Sequence, residues 1–119
     1  MTSRNIFILS GNVSQKPRQF AGKAAKTVVN VAVDEFWTDL KSGERKKRTD
    51  YLSAFTFNPK IGAFLADKVN IGDHITIDGR LRANSFERAG EKVYTIDLEI
   101  LRLDAHPVRA DRAMDDEPA

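Results

Sequence analysis

At 119 residues the chain fits one domain; 41% apolar residues supply one modest core, and 30% charged residues indicate a well-solvated surface. There are no cysteines, which excludes disulfides and thiolate metal sites. The only early apolar run, Ile6 to Leu9, is too short for a signal peptide or a membrane span, and a cytoplasmic protein is expected. The net charge of +2 hides an asymmetry: residues 1–60 hold 11 Lys/Arg and 5 Asp/Glu, residues 61–119 hold 8 and 12. A basic first half points to a polyanionic partner.

Five apolar runs of strand length follow in order. Asn5 to Val13 is apolar at both parities, with Ile6 and Ile8 alternating with Phe7 and Leu9. Thr27 to Phe36 alternates Val29, Val31 and Val33 with Val28, Asn30, Ala32 and Asp34. In the third run, Asp50 to Phe57, Tyr51, Ser53, Phe55 and Phe57 share one parity, and Leu52, Ala54 and Thr56 the other. Which of these sets is buried stays open. A helix comes next: Asn58 is a cap, Pro59 suits the first turn, and Ile61, Phe64 and Leu65 share a face. Gly72-Asp73 then turns the chain into His74 to Arg82, where Ile75, Ile77 and Leu81 oppose His74, Thr76, Asp78, Arg80 and Arg82. The fifth run is Lys92 to Leu103, with Tyr94, Ile96, Leu98 and Ile100 opposite Thr95, Asp97 and Glu99. Period-two alternation gives each strand one buried face. Three strands, a helix and two strands predict an all-β domain with one helix, the five-stranded Greek-key barrel of the OB-fold. Gln15 to Lys26, Thr38 to Thr49 and Ala83 to Glu91 are expected as polar connections. Periodicity stops at Asp104, so the domain is set at residues 1–105, with 106–119 a short, acidic, disordered tail.

No catalytic constellation assembles. His74 and His106 are far apart in sequence, one facing out of a strand and one starting the tail. No nucleophile elbow, phosphate loop or metal spacing occurs, so neither an enzyme nor a metal or cofactor is expected. The nucleic-acid signal is stronger. Single strands are held by cations for the phosphates and by aromatic faces for the bases. The segment from Lys41 to Arg48 carries Lys41, Arg45, Lys46, Lys47 and Arg48 against Glu44 alone, and reads as a loop that serves as a phosphate rail. Trp37 precedes it and Tyr51 follows it. Phe86 sits in a polar loop beside Arg80, Arg82 and Arg88, and reads as a stacking platform. Phe57 fits core or surface equally, whereas Phe7, Phe20, Phe36 and Phe64 are assigned to packing.

At these residues the chain resembles the bacterial single-stranded DNA-binding protein family over about residues 3–103. The resemblance rests on Arg4 to Val13, Phe36-Trp37-Thr38-Asp39, Gly43-Glu44, Thr49-Asp50-Tyr51, Ile71 to Arg82 and Tyr94 to Leu98, in family order and spacing. It implies an OB-fold that assembles, usually as a tetramer, and wraps single-stranded DNA in replication, recombination or repair within the bacterial nucleoid. The family's stacking aromatics fall on Trp37, Tyr51, Phe57 and Phe86, and Arg82 matches a family basic position; Arg4 is counted with the other cations as a DNA-binding candidate. Asn84 stands where a basic residue is common. The acidic tip Asp115-Asp116-Glu117-Pro118-Ala119 lacks the family's terminal Phe, which puts docking of replication and repair proteins in doubt. A self-associating surface is also expected from the residues, because the second apolar face of the first strand needs cover. Three rivals remain: a dimeric primosomal-type OB protein, an RNA-binding OB domain and a protein-docking OB module.

Overall fold

The computed structural model describes residues 2–21 and 25–106. The elements run β1 (Phe7–Phe20), β2 (Lys26–Thr38), β3 (Arg45–Thr56), α1 (Pro59–Lys68), β4 (His74–Arg88) and β5 (Glu91–His106). The strands close into a barrel in the order β1-β2-β3-β5-β4, the expected OB-fold. Neighbours pair antiparallel except β3 and β5, which meet in parallel at Ala54 opposite Leu98 and Phe55 opposite Glu99.

The alternation places the core. Leu9 and Val13 of β1, Val29 and Val31 of β2, Ala54 of β3, Ile75 and Ile77 of β4 and Ile100 of β5 all point inward, with Leu65 and Val69 closing one end. Asn58 caps α1 as expected, its Oδ1 accepting from the backbone N–H groups of Lys60 (2.9 Å) and Ile61 (3.3 Å). The parity left open in β3 is settled: Ala54 and Thr56 are buried, which turns Tyr51 and Ser53 outward.

Several expectations need correction. The three polar connections are each shorter than expected, because pairing with a neighbour extends strands through polar sequence that has no apolar period. Thus β1 continues through Gln15 to Phe20, with register shifts around Gln15 that accommodate Pro17. Arg45 to Arg48 are strand residues paired with Phe36 to Thr38 and Glu35, not a loop, and the connection between β2 and β3 is only Asp39 to Glu44. Phe86 lies on β4 opposite Val93, and the hairpin turns on Ala89-Gly90 alone, with positive φ at both (52° and 82°). His106 ends β5 opposite His74, with ring centroids 6.4 Å apart, so it belongs to the barrel rather than to a tail. In β5 the parity of the core residues flips between Ile100 and Leu103, because Leu101 is the extra residue of a bulge opposite Asp78-Gly79. Of the phenylalanines assigned to packing, only Phe7 meets the core; Phe20, Phe36 and Phe64 are exposed. Gly79 is required where it stands, since a Cβ there would lie 2.5 Å from the Phe7 ring.

The expected tail, including Asp115-Asp116-Glu117, lies outside the described residues apart from His106. Among the described residues no helix is long and apolar enough to cross a membrane.

Candidate nucleic-acid interface

The candidate residues occupy three places on the barrel's outer surface. The first is the β2–β3 ribbon, which runs beyond the core. Its register is unbroken from Thr27 opposite Thr56 to Thr38 opposite Arg45. Residues directly opposite one another share a face. One face therefore carries Trp37 and Glu35 with Lys46 and Arg48, and the other carries Phe36 with Lys47, Arg45 and Tyr51. The expected single rail is split between two faces, and Trp37 and Tyr51 are not neighbours. Most cations of the ribbon have loose partners: Lys46 Nζ lies 3.9 Å from Asp39 and 4.0 Å from Glu44, and Lys47 Nζ 3.9 Å from Asp34. Arg48 Nε is closer to Asp50, at 3.1 Å. Lys41 lies in the turn, and Arg4 precedes β1, both exposed.

The second place is a cleft of about 450 Å3 across the parallel seam, lined by Lys26, Phe55, Phe57, Arg82, Ala83, Asn84, Asp97 and Glu99. Phe55 and Phe57 meet edge to face at 5.5 Å, and the Lys26 ammonium stands 5.0 Å from the Phe55 ring centroid. Phe57 is thus a surface residue, and the structure brings it to Arg82 as the site reading requires. Lys26 and Phe55 had no mark in the sequence. The signal that finds them is parity: once Ala54 and Thr56 are inside, Phe55 and its cross-strand neighbourhood are outside.

The third place is the β4–β5 hairpin. Arg80, Arg82, Asn84, Phe86 and Arg88 alternate along one face of β4. Opposite them on β5 stand Glu99, Asp97, Thr95, Val93 and Glu91. Glu99 Oε1 accepts from Arg80 Nε at 2.7 Å and from Arg82 Nε at 2.8 Å. These two hydrogen bonds, Arg80 first, hold the Glu99 carboxyl below the usual glutamate range, against a smaller opposing effect of burial. Asn84 donates to Asp97, and occupies the carboxylate that a basic residue there would meet. The hairpin's other face exposes Leu81, Tyr94 and Ile96 near the barrel and carries Glu87 opposite Lys92 towards the tip.

Apart from these places, Ile6 and Ile8 are 67% and 73% exposed beside Leu101. With Asn5, Asp78, Gly79 and Arg102 they line a hollow of about 430 Å3. Among the described residues no group of three His, Asp or Glu side chains is placed to hold a metal.

Comparison with known proteins places the chain in a family. A sequence model of the single-strand binding protein family matches residues 4–105. The single-stranded DNA-binding proteins of Rickettsia conorii and Rickettsia typhi are each 26% identical over 112 residues, spanning 92% of this chain and 74% of their own length. In fold, the chain is similar to a Plasmodium falciparum SSB solved in complex with ssDNA, with TM-score 0.74 at 18% identity over 89% of this chain and 96% of that one. It is also similar to the small single-stranded DNA-binding protein of Streptomyces coelicolor, with TM-score 0.65 at 16% identity over 90% and 97%.

Proposed function

The chain belongs to the single-strand binding protein family, and from that premise we propose that it binds single-stranded DNA without sequence preference through Trp37, Tyr51, Phe57 and Phe86 and the cations beside them. The observation that carries this reading is the seam cleft, where aromatic faces from β3 stand against Lys26 and Arg82. Stacking needs only a base's π-face, and cations need only a phosphate, so neither discriminates sequence. Arg80, Arg88, Arg45, Lys46, Lys47, Arg48, Lys41 and Arg4 extend the cationic surface on either side. The protein acts by occupancy rather than turnover. It coats exposed strands in replication, recombination or repair, and by binding the unpaired state it shifts hairpins towards melting.

The binding domain in this reading is the expected 1–105 extended to His106, which ends β5, in a cytoplasmic protein. The exposed Ile6, Ile8 and Leu101 supply the face on which copies associate, as a tetramer. Sedimentation of the purified chain checks this: a monomer at micromolar concentration would remove the assembly, whereas Ile8→Asp is expected to dissociate it.

The direct test of function is fluorescence of Trp37, the only tryptophan, during titration with oligo-thymidine and with a duplex at two salt concentrations. Strong quenching by the single strand, little by the duplex and weakening with salt are expected. No response to either, with no gel shift, would leave a protein-docking module instead.

A further inference from the structure

We propose that Phe36, with Arg45 and Lys47, is an additional base-stacking position on the ribbon face opposite Trp37, so that a bound strand engages both faces of the β2–β3 ribbon. This rests on the single-strand-binding reading and extends it to Phe36, a residue that the sequence pattern assigns to packing, and to a pairing of it with two cations already counted in the basic segment.

Phe36 is a large apolar side chain placed where no core exists. It is 53% exposed on a stretch of ribbon that has outrun the barrel. Its surroundings are not those of a packing residue. The Arg45 guanidinium carbon stands 5.4 Å from the ring centroid and the Lys47 ammonium 5.9 Å. Lys47 is directly opposite Phe36 in the ladder, and Arg45 is its diagonal neighbour opposite Thr38. Two cations flanking one exposed ring reproduce the pairing that single-strand recognition needs, phosphate beside base. They also disfavour a second protein as occupant, because an apolar partner covering Phe36 would have to desolvate both charges.

The cations do not block the ring. A cation over an exposed aromatic is held weakly, more weakly than a stacked base, so an arriving base displaces it and the released charge turns to the adjacent phosphate. Arg45 is suited to this, since among the described residues it has no carboxylate within ion-pair distance, and Lys47 has only Asp34 at 3.9 Å. Tyr51, the next aromatic on the same face, is four ladder positions away, opposite Ala32. That is about 13 Å along the strand, so the two rings form separate steps of one path rather than a single contact.

The test is anisotropy of a labelled oligo-thymidine titrated with the full chain and with Phe36→Ala, Phe36→Leu and Phe36→Trp. Phe36→Ala is expected to weaken binding about 5- to 150-fold, the range for loss of one stacked base, with the salt dependence unchanged. Phe36→Leu, which keeps apolar bulk without a π-face, should weaken it similarly, and Phe36→Trp should bind at least as well as the parent. Binding of Phe36→Ala or Phe36→Leu within twofold of the parent would overturn the proposal. So would a loss accompanied by a change in sedimentation, which would make Phe36 an interface residue. If the parent chain itself fails to bind, the function falls rather than this residue alone.

Discussion

The β2–β3 ribbon and the β4–β5 hairpin both project from the barrel and both carry aromatics among cations, yet their charges are organised in opposite ways. On the ribbon, Lys46 and Lys47 sit 3.9–4.0 Å from exposed carboxylates, and Arg45 faces a ring. Such loose surface pairs contribute about 0–1 kcal/mol and give way readily to a phosphate. On the hairpin, Arg80 and Arg82 both close on one largely covered carboxylate, Glu99, at 2.7 and 2.8 Å. Those arginines are held in place and half-neutralised before any ligand arrives. The lesson is that a count of basic residues overstates what is available to a polyanion. The ribbon offers mobile charge, and the hairpin offers fixed geometry.

The largest expected effects come from the rings. Trp37→Ala on the ribbon and Phe86→Ala on the hairpin should each weaken oligo-thymidine binding by roughly 1–3 kcal/mol with the far-UV circular dichroism of the folded barrel retained. A loss of folded signal in either would make that side chain structural and break the parallel between the two projections.

Next in size is the salt dependence. Replacing Lys46 or Lys47 by Ala should lower the slope of log K against log salt by about 0.7 per phosphate contact removed. Arg80→Ala should lower it by less, because Glu99 already offsets that charge. Equal slopes for the ribbon and hairpin variants would erase the distinction drawn between them.

Glu99→Gln sharpens it from the other side. Freed of their shared carboxylate, Arg80 and Arg82 should bind phosphate more tightly, with a steeper salt slope, at some cost to the fold. The pH dependence has a definite sign. The Glu99 carboxyl is held below its ordinary value by Arg80 and then Arg82. Its stabilising contribution is therefore fully present above the ordinary glutamate pKa and lost as pH falls through the lowered one. Urea midpoints of the parent and Glu99→Gln should differ at neutral pH and converge in acid. A constant gap would show that the carboxylate's charge does not matter to the fold.

The smallest effect lies at the hairpin tip. Ala89 has φ of 52°, a left-handed conformation that a Cβ disfavours. Ala89→Gly should raise stability by roughly 0.5–1 kcal/mol in urea melts, without altering DNA binding. A change in affinity would mean that the tip itself touches the ligand.

Much of the fold was legible because the barrel is built on short-range alternation. Val29 and Val31, and Ile75 and Ile77, declare their face without reference to any neighbour, and Asn58-Pro59 declares the helix start. What was hidden depends on pairing. Arg45 to Arg48 have no apolar period, and they are a strand only because β2 lies beside them. Phe36 looks like core until the six-residue turn fixes the register and puts it opposite Lys47. Leu101 escapes because a bulge opposite Asp78-Gly79 breaks the parity that Leu98 and Ile100 establish. The candidate aromatics were legible as residue types, but their faces were not: the separation of Trp37 from Tyr51 is a property of the ladder alone.

The parallel seam has a kinetic side. β3 and β5 touch through only two register pairs, Ala54 with Leu98 and Phe55 with Glu99, and those pairs join distant parts of the chain. Those are few contacts for the loop they close, so the seam is expected to be the stretch of the barrel that opens most readily. The cleft with Phe57 on one lip and Arg82 on the other straddles that opening. In the reading proposed above, a strand lying across it would act as a suture, and the bound barrel is expected to breathe less than the free one.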